Sequence, residues 1–293
     1  MRLASCLRER ATRDAALAIV TAHYGKRPAR VYFAGGSTGG REALAMASRW
    51  PSDVDGVIAL YPAWNAVALN LQFGRMTQAM AQPGAYPDAA KRKLLFDAAM
   101  AACDRLDGVA DGVISNVDAC NARFDPATAS VNGKPLRCEG GTEGGDGCLS
   151  DAQINTFKVF STALELPYPL ASGETRYPGF NTWGTDWGTG TGSPFQAIIQ
   201  TLGLGTEQPA HPMPGVSSKG SPPYHSTFWD QWVRYFLTRD VNFNPLALDP
   251  ARPGGYQARV VALNGLQDVN QTDLSAFRNK GGKILIAHGT ADA

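Results

Sequence analysis

Residues 31 to 47 read VYFAGGSTGGREALAMA, and the turn at their centre sets one serine, Ser37, among four glycines. The apolar run Val31 to Ala34 reads as a buried strand, and the segment from Glu42 to about Arg49 as a helix closed by Trp50-Pro51. Gly35-x-Ser37-x-Gly39 on such a strand-to-helix turn fits the Gly-x-Ser-x-Gly nucleophile elbow, whose tight backbone only glycine neighbours accommodate. A phosphate-binding loop is the rival reading of a glycine-rich turn, but the Gly-Lys-Ser/Thr ending it needs is missing. In an elbow, the N–H of Thr38 at the helix start points toward a developing oxyanion and supplies one donor of its hole.

Working outward, TRDAALAIVTAH (residues 12–23) carries apolar residues at helical spacing and is stopped by Tyr24-Gly25-Lys26-Arg27-Pro28. Downstream, VDGVIALYPAW contains a second short buried strand, Val57 to Leu60, ended by Pro62. Helix, strand, helix, strand is the rhythm of a parallel sheet covered by helices. That rhythm stops at about residue 66, and the stretch to 268 reads as irregular, interrupted by one aromatic helix candidate, STFWDQWVRYFLTR. An insertion of this length between sheet elements reads as a lid. The pattern returns with the helix candidate TDLSAFRNKG and the strand Ile284 to Ala287. The expected organisation is α/β, with core segments at 1–65 and 269–293 and a lid at 66–268. A domain rarely ends on the exit loop of a central strand, so a core continuing beyond both ends of the sequence is expected.

The charge balance excludes some partners. Lys plus Arg (27) nearly cancels Asp plus Glu (26), and no basic run occurs, so the electrostatic footprint of a nucleic-acid or acidic-lipid partner is missing. A stretch of about 18 apolar residues, needed for a membrane span, is not found. The opening MRLASCLRERATRDAAL carries charges where a signal peptide would be apolar and reads as the start of a helix, so any secretion signal is expected upstream. Four of the five cysteines, Cys103, Cys120, Cys138 and Cys148, fall in sequence rich in Gly, Asp and Asn that has few apolar residues to hold it together. Disulfides are common in such regions and imply an oxidising compartment, secreted or periplasmic; free thiols are the alternative, and zinc lacks its Cys-x-x-Cys pairs and nearby histidines.

The stretch CDRLDGVADGVI (103–114) sets Asp104, Asp107 and Asp111 close together, with glycines that let the backbone curl. Several carboxylates in a tight loop suit a hard cation such as Ca2+, although Ser115 stands where an EF-hand carries its bidentate Glu. A solvated pair of Asp-Gly turns accounts for the same residues equally well. The lid aromatics Trp183, Trp187, Phe228, Trp229 and Trp232 read either as core or as faces for an aryl ring.

AGGSTGGREALAMASRWPSDVDGVIALYPAWN (34–65) resembles the nucleophile region of the tannase and feruloyl esterase family, which includes mono(hydroxyethyl) terephthalate hydrolases. The likeness continues through Cys103 to Cys120 and to the closing HGTAD. It implies an α/β-hydrolase fold with a large inserted lid, truncated here at both ends, and a serine esterase acting on small esters of galloyl, feruloyl or terephthaloyl type. It also implies that Ser37 is the nucleophile, Asp292 the catalytic acid, and the catalytic histidine a residue beyond Ala293, because the order in this fold is Ser, acid, His. None of His23, His211, His225 and His288 takes that place, and the second oxyanion donor belongs upstream of residue 1. By the same resemblance, Asp104, Asp107 and Asp111 with the carbonyls of Val109 and Val113 hold a structural Ca2+, and the cysteines pair 103 with 120 and 138 with 148. One departure is plain: the family carries Cys before the serine, bonded to a Cys beside the histidine, where this chain has Gly36. A non-catalytic relative or fragment that binds calcium, or an aryl or glycan ligand, is the alternative. A histidine in a glycine-rich loop of the flanking sequence would separate the two.

Overall fold

The computed structural model describes residues 6–185, 187, 204–215 and 220–289. Along the chain the principal elements are helix α1 (Cys6–Tyr24), strand β1 (Tyr32–Gly36), helix α2 (Thr38–Arg49) and strand β2 (Gly56–Leu60). They are followed by helices α3 (Ala66–Met80), α4 (Ala89–Cys103), α5 (Val117–Arg123), α6 (Asp151–Ser161), α7 (Tyr224–Gln231), α8 (Gln257–Gln267) and α9 (Ser275–Asn279), then strand β3 (Lys283–Ala287). The described residues up to Val67 and from Ala262 to Gly289 form one compact unit, and those from Ala68 to Val261 a second.

In the first unit β1, β2 and β3 form a parallel sheet with β2 in the middle. Gly36 is in register with Leu60, and Leu60 with Ala287, so the three strands end level. In β2 the buried Val57 and Ala59 share one face, while Ile58 and Leu60 on the other are partly exposed. One face packs on α2, whose Ala43, Met46 and Ala47 lie one helical turn apart and meet Val54, Val57 and Phe277. Helix α1 is tied to the loop before β2 by Asp53, which accepts from Arg10 Nε at 2.6 Å and pairs with Arg13 Nη1 at 2.9 Å. Asp55 fixes the start of β1 by accepting from the Val31 N–H at 2.8 Å.

The region between the sheet segments is more regular than its sequence suggests. Where one aromatic helix is expected, the structure has α3 to α8. In α3 and α4 the buried faces include Gln72, Thr77, Lys91 and Arg92, so the apolar periodicity that betrays a helix is interrupted. These polar groups are paired by distant segments: Thr77 Oγ1 with Ser226 Oγ at 3.0 Å, Gln72 Nε2 with the Val159 carbonyl at 3.1 Å, and Arg92 Nη1 with the Trp187 carbonyl at 2.9 Å. The expected aromatic helix is present as α7, which runs on into a π-helical turn, Trp232–Leu237.

Candidate active site

The turn between β1 and α2 is built by close approach. A Cβ added at Gly35 would lie 2.5 Å from the carbonyl group of Gly39, and one at Gly40 would lie 2.7 Å from the Leu60 carbonyl oxygen, so neither position has room for a side chain. Ser37 between them has φ 55° and ψ −116°, a backbone conformation that non-glycine residues seldom adopt and that needs support from its surroundings. The support is a set of backbone bonds: the Ser37 N–H donates to Leu60 O at 3.0 Å, and the Ser37 carbonyl accepts from Arg41 and Ala63, each at 3.1 Å. Ser37 stands at the N-cap of α2, yet its hydroxyl makes no capping bond, and the residue is exposed. A serine at an N-cap ordinarily caps. Here the side chain is turned out to solvent at the positive end of a helix, beside the backbone N–H of Thr38.

The carboxyl edge of the sheet, where open parallel sheets bind ligands, carries three residues in line: Ser37 after β1, Tyr61 after β2 and His288 after β3. Tyr61 also has positive φ, 35°, and its N–H donates to Ala287 O at 2.6 Å. His288 is exposed, with Nδ1 3.0 Å from the Gly289 carbonyl oxygen. Asp292, the expected acid, lies outside the described residues. Of the other histidines, His23 is on α1, His211 is exposed, and His225 is buried beside Phe73, ring centroids 4.8 Å apart.

Sequence reasoning passed over two residues of this unit. Tyr61 gave one signal, its position between a buried strand and Pro62, where the chain must turn sharply. Asp268 gave none: it is buried, accepts from the Val67 N–H at 2.9 Å and from Asn264 Nδ2 at 2.5 Å, and its carbonyl accepts from Arg49. It thereby joins the chain leaving the sheet to the chain returning to it.

In the second unit both expected disulfides are formed, Cys103 with Cys120 and Cys138 with Cys148. The first closes the acidic loop, where each carboxylate is turned onto backbone N–H groups of the loop itself. Asp104 accepts from Gly112 at 2.9 Å, Asp107 from Val109 at 2.9 Å and Ser115 at 3.3 Å, and Asp111 from Val113 at 3.1 Å. The Val109 N–H first, with Ser115 adding to it, holds the Asp107 carboxyl below its ordinary pKa. The donor chemistry of three carboxylates with flanking carbonyls suits a hard cation; among the described residues no three acidic, His or Cys side chains converge, each carboxylate lying on N–H groups of the loop. The second disulfide loop has a cation of its own: the buried Lys91 Nζ donates to Glu143 Oε1 at 2.6 Å and to the carbonyls of Gly145 at 2.7 Å and Cys148 at 2.6 Å. Of the aromatics singled out in this unit, Trp183, Trp187, Trp229 and Trp232 are buried core, and Phe228 is exposed, edge-on to Phe73 and packed against Tyr224.

Among the described residues, no helix is long and apolar enough to cross a membrane. The fold is shared with feruloyl esterase B from Aspergillus oryzae, with a TM-score of 0.63 at 24% identity over 90% of this chain and 44% of that one. An uncharacterized esterase of Agrobacterium fabrum is 35% identical across 95% of this chain and 47% of its own length. A mono(2-hydroxyethyl) terephthalate hydrolase of Piscinibacter sakaiensis is 30% identical across 96% of this chain and 48% of its own. The chain thus spans about half the length of the curated relatives it matches. The family model described as tannase and feruloyl esterase matches residues 8–293, and with these relatives it establishes that this chain belongs to the tannase and feruloyl esterase family.

Proposed function

We propose that this chain carries the nucleophile of a secreted or periplasmic serine esterase that cleaves small carboxylic esters of aromatic acids. The observation that supports it most is Ser37: exposed, at positive φ, at the end of a parallel strand, and at a helix N-cap it does not cap. In this reading Ser37 Oγ attacks the ester carbonyl carbon while a histidine takes its proton, and the tetrahedral oxyanion forms against the N–H of Thr38 and a second donor. Collapse expels the alcohol, which takes the proton back from the histidine, and water then releases the acid from the acyl-serine by the same route. Asp292 is the carboxylate that orients the histidine. The histidine and the second donor come from segments outside these 293 residues, a reading supported by relatives about twice as long.

Residues 66–268 serve as the lid, and the two disulfides suit an oxidising compartment. Calcium in the loop from Asp104 to Val113 is part of the same proposal. Asp104, Asp107 and Asp111 would ligate through lone pairs their N–H partners leave open, and the ion's role there is lid stability.

The deciding experiment is covalent labelling of the full-length protein with a fluorophosphonate. The wild type takes up one equivalent, and Ser37→Ala takes up none while melting within a degree or two of wild type, since an exposed hydroxyl contributes little to packing. Labelling that persists in Ser37→Ala removes Ser37 as nucleophile, and a wild type that is never labelled favours the non-catalytic reading.

A further inference from the structure

We infer that Tyr61 is a specificity-determining wall of the acyl site, the surface against which the aryl ring of the acyl group packs; the inference rests on Ser37 being the nucleophile. Tyr61 holds a backbone conformation, φ 35°, that is a genuine outlier for a bulky side chain. Strain of this kind persists only where the surroundings impose it, and it concentrates at functional sites. Burial does not offset it, because Tyr61 is 49% exposed. What the conformation achieves is placement. A Cβ built at Gly36 would lie 2.7 Å from both Cε2 and Oη of Tyr61 and 2.8 Å from Cζ. The hydroxyl end of the ring therefore lies against the residue immediately before Ser37, in the space a side chain at position 36 would fill.

The backbone of Tyr61 is pinned at the same time from both neighbouring strands. Its N–H donates to Ala287 O on β3, and the preceding Leu60 carbonyl accepts the N–H of Ser37 on the β1 side. The backbone that carries the ring is thus tied by the ladder to the backbone of Ser37. It stands at the carboxyl edge of the sheet with about half its surface open, where an acyl group on Ser37 Oγ would need a neighbour. An aromatic face beside the acyl group favours an aryl acyl group over an acetyl group by stacking and apolar contact, and the phenolic oxygen is not needed for that discrimination.

The test uses the full-length protein and two esters with one leaving group, p-nitrophenyl benzoate and p-nitrophenyl acetate, so that only the acyl side differs. Tyr61→Gly, which relieves the positive φ, should lower the benzoate-to-acetate ratio of kcat/KM about tenfold, chiefly through KM for benzoate. Tyr61→Phe should restore the ratio to within about twofold of wild type. Gly36→Ala should lower the ratio by displacing the ring, and should add little further loss when combined with Tyr61→Gly. Should Tyr61→Gly fail to fold, Tyr61→Asn, which tolerates positive φ, reports the same ratio. An unchanged ratio in the Gly or Asn variant overturns the inference. So does a parallel fall for both esters with a lowered melting temperature, which marks a structural role. Fluorophosphonate labelling of every variant separates this failure from the other: a wild type that is neither labelled nor active defeats the Ser37 reading itself.

Discussion

The amide of Ser37 donates to the carbonyl oxygen of Leu60 at 3.0 Å, which makes the turn at Ser37 a continuation of the ladder between β1 and β2. The strained residue is held by the sheet, with the helix beginning one residue later. Positive φ at Ser37 is therefore imposed by backbone bonds and by the close packing of Gly35 and Gly40, and any change that forces the turn apart should be felt at Ser37.

Gly35→Ala is such a change. The new Cβ would sit 2.5 Å from the Gly39 carbonyl group, a backbone atom pair that cannot swing aside. A loss of about 2–3 kcal/mol in urea unfolding is expected, with slower fluorophosphonate labelling of the folded fraction. Gly39→Ala is the control, since its Cβ meets nothing within 4 Å, and it should stay within about 1 kcal/mol of wild type. Equal stability of the two variants would show that the turn is looser than its contacts imply.

Asp53 supplies a pH dependence. Burial by itself would raise its pKa, but hydrogen bonds from Arg13 and Arg10 outweigh it and hold the carboxyl below its ordinary value of 3.8. A carboxyl depressed in the folded state stabilises above the unfolded pKa, and that contribution is lost as pH falls through the folded one. The anchoring of α1 should therefore persist at pH 5 and weaken below about pH 4. Asp53→Asn should cost roughly 1–2 kcal/mol at pH 7 and flatten the acid limb of the stability curve. Hydrogen exchange of α1 amides across pH 3 to 6 measures it directly; protection that is the same throughout would assign the anchoring of α1 to other contacts.

How much of this was legible in advance follows from where each residue's partners lie. The strand, turn and helix around Ser37 could be read because they are consecutive, and because β2 shows the unbroken apolar run of a central parallel strand. Helices α3 and α4 could not, since Gln72, Thr77, Lys91 and Arg92 occupy buried positions and disguise the period. Lys91 is tolerated there only because Glu143 and two carbonyls of the second disulfide loop, more than fifty residues on, converge on it. Asp268 is more extreme, with one partner at Val67. Nothing near residue 268 in sequence announces that contact. Tyr61 lies between these cases: the turn before Pro62 is visible, and the direction of its ring is not.

The acidic loop gives a prediction about metal. A cation bound only by the folded state stabilises by mass action, about 2.7 kcal/mol at a hundredfold excess over Kd. Chelation should then lower the melting temperature by on the order of 5 °C, and added Ca2+ should restore it. Asp107→Ala should remove both responses. Elemental analysis that finds no calcium, together with indifference to chelator, would leave Asp104, Asp107 and Asp111 as the turn formers their N–H bonds already make them.

The assignment of Asp292 is tested most sharply by isosteric replacement. Its proposed task is to hold an imidazole in the tautomer and orientation that accept the Ser37 proton, which an amide of the same shape fails to do. In the full-length protein Asp292→Asn should lower kcat for an aryl ester by about 10⁴, with KM little changed, because substrate contacts remain and only the proton transfer is impaired. The oxyanion hole and binding alone leave a residual acceleration of about 10³ to 10⁴ over water, so activity should be detectable and not zero. The same replacement should slow fluorophosphonate labelling of Ser37 by a comparable factor, since both reactions need the serine proton removed. If Asp292→Asn retains most of the activity while Ser37→Ala abolishes labelling, Ser37 keeps its role and the orienting carboxylate must be sought elsewhere in the full-length protein.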